Sequence, residues 1–321
     1  MITNRIFIKA YPYKPKSIED AVAGDLLCYY NGSLLIYPQT QYGGTPIGVV
    51  VIPTSHNVYG DGSCGVMSLA PMNYNTPDIG GTTEQMMYYG SVGAVTNLAK
   101  MNSLPIITKD GVVANNIVST SPIGKLPTDY FTTLQNPNDP DTYYNRTDAF
   151  GTPSPYNADD SRNFQYSQTS APSTSANALS DFNGKGNTAI LTNLVSAQPN
   201  WRTDATIVNE KGSDGKCTGY YPAACCCWRF HTVGTKQGDW YLPACGEMGY
   251  VLPKFTTIQS GIVKGNGVSL SQNYVYWTST NYSDNSARVV YTTEGWVAEG
   301  EKINDINVRA FMKVDANMVK Q

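Results

Sequence analysis

The chain has 321 residues, 15% of them charged, with a formal net charge of -3; at about 150 residues per domain this is one large or two ordinary domains with room for a real core. Neither the basic field that nucleic acid requires nor the single-sign excess of a disordered tail is present, so no nucleic-acid partner is expected. Tyrosine outnumbers phenylalanine 23 to 8, beside 29 Gly and 19 Pro, a composition that favours recognition through hydroxylated rings over catalysis.

Residues 1–20 read as an N-terminal arm. Within it the apolar patch Ile6-Phe7-Ile8 runs into Lys9 and the Pro12/Pro15 pair, too short for a signal-peptide core or a membrane span, so no membrane partner is expected. Leu26-Leu27-Cys28-Tyr29-Tyr30 and Leu34-Leu35-Ile36-Tyr37 flank Asn31-Gly32-Ser33. An Asn-Gly turn between β-rich runs predicts a hairpin. Ile47-Gly48-Val49-Val50-Val51-Ile52, closed by Pro53, predicts a strand buried on both faces. From Asn73 to about Ser180 the aliphatic residues thin out, and stretches such as Gln135-Asn136-Pro137-Asn138-Asp139-Pro140 have no usable period. So long an irregular stretch predicts an insertion, ordered against a neighbour or functional in its own right, with short strands within Val92–Leu98 and Ile106–Val118.

Beyond Asn187, the residues Ile190, Leu191, Leu194 and Val195 lie on one side of a short helix that Pro199 ends. A second helix is expected over Ala223–Phe230 and a third over Cys245–Leu252, stopped by Pro253. Val275–Thr280, Ala287–Thr292 and Val308–Val314 then alternate as strands between Gly/Asn/Asp turns. The expected fold class is therefore α+β, short helices plus an antiparallel sheet. Residues 21–72 supply its opening strands, 73–180 the irregular, β/loop-rich insertion, and 181–321 its helices and closing sheet.

The C-terminal third carries Trp240-Tyr241-Leu242-Pro243-Ala244-Cys245-Gly246-Glu247-Met248, then Tyr276-Trp277-Thr278-Ser279-Thr280, then Val308-Arg309-Ala310-Phe311. In this order the three motifs resemble the C-type-lectin-like domain family of gut Bacteroidetes surface proteins and their phages. Gly24-Asp25 with the Tyr-rich hairpin, Thr45-Pro46-Ile47-Gly48-Val49-Val50 and Asp181-Phe182-Asn183-Gly184-Lys185-Gly186-Asn187-Thr188 look like that family's opening strands and pre-helix turn, implying one lectin-like domain from about Ala21 to Val314, interrupted by the insertion. Together with the absence of a visible export signal, the chain looks most like a virion protein: a head-fibre or tail-associated protein of a crAss-like phage.

Taken by their chemistry, Trp240, Leu242 and Pro243 suit a core corner before a helix that starts near Ala244, the proline presetting φ. Glu247 falls in the first turn of that helix, where a carboxylate suits the positive end of the macrodipole and caps or pairs more readily than it catalyses. Trp277 sits in the second motif's strand, and Arg309 is the expected partner of a carboxylate or carbonyl in the core. Cys225-Cys226-Cys227 are adjacent on a helix and point about 100° apart, so they do not converge on one ion; small core residues against Trp228 are the expectation, with a Cys217–Cys245 disulfide left open. His56 and His231, the only histidines, have no nucleophile elbow or papain-like cysteine context, so no catalytic residue, metal or cofactor is assigned. Gln198-Pro199-Asn200 lies too early for the calcium-and-sugar tripeptide of the lectin superfamily, and Trp277-Thr278-Ser279 replaces its later Trp-Asn-Asp.

The candidate ligand-binding residues are Asn273, Tyr274 and Tyr276, with Asn281, Tyr282, Ser283, Asp284 and Asn285 after the Trp277 strand. Tyr, Asn and Ser combine rigid contact area with adaptable hydrogen bonds, as in antibody paratopes, and are also what solvated turns require. The expected function is that of a non-enzymatic virion structural protein, head fibre or tail-associated, whose lectin-like surface attaches to a host cell-surface protein or glycan, or to other virion proteins. It is expected to be a homo-oligomer, with a trimer as the leading state, because a long stretch poor in aliphatics needs a neighbour's surface to offset its ordering entropy. A bacterial cell-surface adhesin is the alternative. A formylglycine-generating-type oxidase is disfavoured, since that family needs a C-terminal pair of copper-binding cysteines and no Cys follows Cys245.

Overall fold

A computed structural model of the chain describes residues 13–73, 76, 78–84, 86–87, 89, 106–107, 113–114, 182–194, 221–270, 275–281, 286–292, 296–302 and 304–320. The first two strands, β1 (Leu26–Tyr30) and β2 (Ser33–Tyr37), form the expected hairpin. Asn31 (φ 49°) and Gly32 (φ 84°) both adopt positive φ, the two-residue turn geometry whose twist matches the flanking strands. Strand β3 (Thr45–Ile52) covers the other edge of β1 and is buried from Ile47 through Ile52, as a strand enclosed on both faces must be.

The first sheet continues through β4 (Cys64–Ser68), then β13 (Phe311–Val314) and β8 (Trp240–Tyr241), in the order β2-β1-β3-β4-β13-β8. The end of the chain thus closes onto its beginning, with β4 interposed between the opening strands and β13. The expected closing strand Val308–Val314 is shortened to Phe311–Val314. Just before it, Ile306–Asn307 (β12) belongs to the second sheet, and the carbonyls of Val308 and Ala310 accept from Met72 N and Ser68 N, where the chain turns from one sheet to the other.

The second sheet has the order β11-β10-β9-β12-β5, where β9 is Val275–Asn281, β10 Ser286–Tyr291, β11 Trp296–Glu301 and β5 Met86–Met87. Strand β11 was not expected, since its Glu299, Gly300 and Glu301 carry little β signal. Its glycine has a packing reason: a Cβ on Gly300 would stand 2.9 Å from the Trp277 ring. Two short strands, β6 (Ile106–Ile107) and β7 (Val113–Ala114), pair within the stretch where strands were expected. Val92–Leu98 lies outside the described residues.

Four helices complete the described elements: α1 (Gly184–Leu194), α2 (Pro222–Arg229), α3 (Cys245–Gly249) and α4 (Phe255–Lys264). Helix α1 starts a turn and a half before its first apolar residues because its buried face carries Asn187, Thr188 and Thr192, which an apolar pattern does not register. The third helix ends at Gly249 rather than Leu252. Pro253 does not stop the chain there; it sits in the first turn of a 3-10 segment, Leu252–Lys254, that leads into α4, a position where its missing N–H has no partner to lose. Helix α4 lies close over β3 and the Gly24 loop, and a Cβ on Gly261 would stand 2.6 Å from Gly24 O and 2.8 Å from Val49 Cγ2.

The core extends past Asn73. Strand β5 pairs with β12, Met87 and Tyr89 are fully buried, and the Trp277 indole Nε1 donates to Met87 O at 2.9 Å. Residues 78–89 are therefore structural parts of the two-sheet body, although their Gly, Thr and Gln content reads as loop.

Candidate functional site

The candidate recognition residues lie within and beside β9 in the sequence, and the structure defines what holds that strand. Thr278, Ser279 and Thr280 of β9 are all buried. Ser279 N donates to Pro243 O at 2.7 Å, Asn187 Nδ2 of α1 donates to Ser279 Oγ at 3.1 Å, and the Tyr89 hydroxyl donates to Ser279 O at 3.3 Å. Thr280 Oγ1 accepts from Cys245 N at 2.8 Å, and Thr278 Oγ1 donates to Arg288 O of β10 at 2.8 Å. These contacts hold β9 across the irregularity at which Thr278–Thr280 stand opposite Arg288, up to the residue before Asn281, where β9 ends. Buried polar groups satisfied in this way specify one arrangement rather than merely adding stability.

Asn273, Tyr274, Tyr282, Ser283, Asp284 and Asn285 lie outside the described residues. Tyr276 does not serve as a surface contact: it is fully buried, and its hydroxyl donates to Glu84 Oε1 at 2.8 Å. Tyr276 belongs to the inward-facing set of β9, and Glu84, from a segment read as loop, gives its hydroxyl a buried partner.

The corner after β8 is built from the motif residues. Trp240 and Leu242 are fully buried; the Trp240 indole donates to Thr235 Oγ1 at 3.1 Å and packs edge-on against Phe230 at 5.2 Å. Leu242 N donates to Thr188 Oγ1 at 2.9 Å, tying the corner to α1. Glu247 reaches back over the first turn of α3, its Oε2 accepting from Ala244 N at 2.7 Å, as expected of a cap. Its Oε1 also accepts from the Tyr59 hydroxyl at 2.9 Å and the Tyr241 hydroxyl at 2.8 Å. Three consecutive residues are thereby fixed: Pro243 O and Cys245 N grip the hairpin, and Ala244 N between them is held by Glu247. A Cβ on Gly184 would stand only 2.2 Å from Glu247 Oε2, so glycine is what lets the start of α1 close over the carboxylate.

This cluster is sealed. Burial, and then the Glu247 charge, push the Tyr59 and Tyr241 hydroxyls well above the usual phenol range. Both phenols remain protonated donors, and the chemistry of Glu247 is that of a structural acceptor. Arg309 meets the expected kind of partner: its Nε and Nη2 donate to Glu84 Oε1 at 3.0 and 2.6 Å, and it also donates to Leu69 O at 2.9 Å and Val268 O at 2.6 Å. Glu84 and Tyr59 carry no sequence signal of their own, because their partners lie far away along the chain.

Cys225, Cys226 and Cys227 are all buried on α2. Burial, reinforced by the neighbouring thiols, raises Cys226 and Cys227 well above the ordinary thiol range, which keeps them as apolar thiols rather than metal-binding thiolates. Among the described residues no group of three or more His, Cys, Asp or Glu side chains is placed to hold a metal ion, and no helix is long and apolar enough to cross a membrane. His231 Nδ1 donates to Arg229 O at 3.1 Å, and His56 packs edge-on against Tyr250 at 5.3 Å. Cys217, considered as a partner of Cys245, lies outside the described residues.

No family model matches the sequence, and no curated protein matches it. Among solved structures, a fimbrial protein from Bacteroides ovatus ATCC 8483 aligns at 13% identity with a TM-score of 0.39, over 92% of this chain and 49% of that one. The chain thus spans about half the length of that protein, and a likeness of this degree carries no argument about fold or role. What stands from the structure itself is an α+β body of largely antiparallel sheets with a polar-anchored hairpin.

Proposed function

We propose that the protein is a non-enzymatic attachment protein with a C-type-lectin-like core, a virion component of the head-fibre or tail-associated kind. Its contact surface is the segment joining β9 to β10, Tyr282-Ser283-Asp284-Asn285, together with Asn273 and Tyr274 ahead of β9. The observation that supports this is the anchoring of β9: Ser279 and Thr280 are held by Pro243, Cys245, Asn187 and Tyr89, directly before a segment of paratope-like composition. A rigid base beneath Tyr, Asn and Ser side chains lowers the ordering cost of binding. The partner is a host cell-surface protein or glycan or a neighbouring virion protein, and the protein acts as a homo-oligomer, a trimer.

Tyr274→Ala with Tyr282→Ala tests the surface. Labelled protein carrying both substitutions should lose attachment to gut Bacteroidetes cells that bind the wild type, with the melting temperature nearly unchanged. Undiminished attachment removes the hairpin from the binding face, and loss of folding shows that the rings are core. A monomer in light scattering refutes the oligomer, and absence of the chain from purified phage particles by mass spectrometry refutes the virion assignment.

A further inference from the structure

A cavity of about 220 Å³ opens where the Val22–Ala23 loop faces the end of β3, the turn at Ser55 and His56, and the approach to α4 at Tyr250 and Lys254. Val51 and Pro53, both buried, form its floor. At about 30 Å³ per water-sized group, the space takes roughly seven such groups. That suits a small molecule and is too little for a folded segment.

The walls are preorganised. Asp25 Oδ2 accepts from Val22 N at 2.9 Å and from Lys16 Nζ at 2.6 Å, Gly24 N donates to Val50 O at 2.8 Å, and Thr54 Oγ1 donates to Ile18 O at 3.2 Å. Gly24, at φ +92°, would place a Cβ 2.7 Å from Thr257 of α4, so the loop is seated against the helix and is not free to fold into the opening.

Two features of the rim define the chemistry. Val22 is 53% exposed, one of few large apolar side chains left in solvent among the described residues, and it stands at the mouth. Lys254 is exposed, has no carboxylate partner among the described residues, and ends the 3-10 turn that leads into α4. An apolar floor and lip beside an ammonium with no carboxylate partner among the described residues complement one ligand class: a compact monoanion with a short apolar tail.

We infer that this cavity binds a small aliphatic carboxylate, its tail on Val22, Val51 and Pro53 and its carboxylate on Lys254. The tail covers the exposed valine. Nothing in this site depends on the hairpin, so its test stands apart from the attachment reading.

The test uses the full chain, with hexanoate as the probe in saturation-transfer NMR and hexanamide and acetate as its neutral and tail-less counterparts. Hexanoate should bind saturably, with hexanamide and acetate at least about tenfold weaker, since each lacks one of the two contacts. Lys254→Met should abolish the preference for hexanoate over hexanamide, and Val22→Asp, which sets a like charge at the mouth, should abolish hexanoate binding. Both residues are exposed, and an unchanged melting temperature confirms that the fold is kept. Absence of saturable binding, or hexanoate binding that is unaffected by the two substitutions, overturns the inference.

Discussion

Glu84 lies in a Gly/Thr/Gln-rich stretch that reads as loop, yet Glu84→Leu should be among the most damaging single changes in the chain. Its Oε1 receives two donors from Arg309, whose side chain is 0% exposed, and one from Tyr276. Removing it strands a buried guanidinium, which costs about 3–5 kcal/mol, and leaves a buried phenol without its acceptor, about 1–3 kcal/mol more. Arg309 keeps its carbonyl contacts at Leu69 and Val268, so the lower end, about 4 kcal/mol, is the expected loss. Against the roughly 5–15 kcal/mol that holds a typical domain together, this is a large fraction. Urea unfolding followed by tryptophan fluorescence measures it: the midpoint should fall by more than about 1 M with little change in slope. The double variant Glu84→Leu/Arg309→Met removes the charge along with its counterion and should be at least about 2 kcal/mol more stable than the sum of the single losses. A single-mutant midpoint equal to wild type, or strict additivity in the double variant, would refute the account of the buried pair.

Alkaline pH is a second perturbation with a defined sign. Burial pushes the Cys28 and Cys64 thiols up to about 12 and the Tyr59 and Tyr241 phenols well above their ordinary range. These groups are held neutral in the fold but ionise more readily in the unfolded chain. The stability they contribute is complete below about pH 9 and declines as pH rises toward 12, by up to about 1.4 kcal/mol per pH unit for each group. Melting temperatures should therefore be flat near neutrality and fall from pH 9 to 11, more gently in Cys28→Ala/Cys64→Ala; a curve level to pH 11 would contradict this. A third test concerns the insertion: joining Tyr89 to Phe182 through a long Gly/Ser linker should leave a cooperatively unfolding body. Joining at Asn73 instead deletes Asp78, Glu84, Met87 and Tyr89, removes the carboxylates paired with Arg229 and Arg309, and should give insoluble protein. Equal behaviour of the two deletions would mean that 78–89 is dispensable.

What could be read ahead of the structure was local. The Asn31-Gly32 hairpin, the doubly buried Val49–Ile52 run and the helix at Cys225 each follow from a few adjacent residues obeying backbone sterics or a single period. The corner motif was also legible, because Trp240, Leu242, Pro243 and Glu247 act within one turn of each other. Elements stabilised by distant partners were not. Strand β11 forms because β10 offers it an edge, and α4 begins just after Pro253 because Gly261 lets it settle on Val49 and Gly24. Tyr276 has the composition of a contact residue but points into the core, since its face is decided by the register β9 takes between β10 and β12. For the hairpin site, only composition marks the recognition segment. The contacts of its support, Asn187 in the pre-helix turn and Tyr89 in a loop-like stretch, both onto Ser279, form only in the assembled fold.

The outer edge of β2 bears on how the body responds to an applied force. Lys16 N donates to Ile36 O and Lys320 N to Leu34 O, with Lys16 paired antiparallel to β2 and Val319 parallel to it. At those pairings the chain before Lys16 and the chain after Lys320 both head toward the Tyr37 end of the strand. Tension drawn between these two flanks therefore peels isolated bridges from an edge one at a time, rather than shearing a row of hydrogen bonds together. A pull in that direction loosens these two bridges at low force while β1, β3 and β4 remain paired, so the body stays intact behind them.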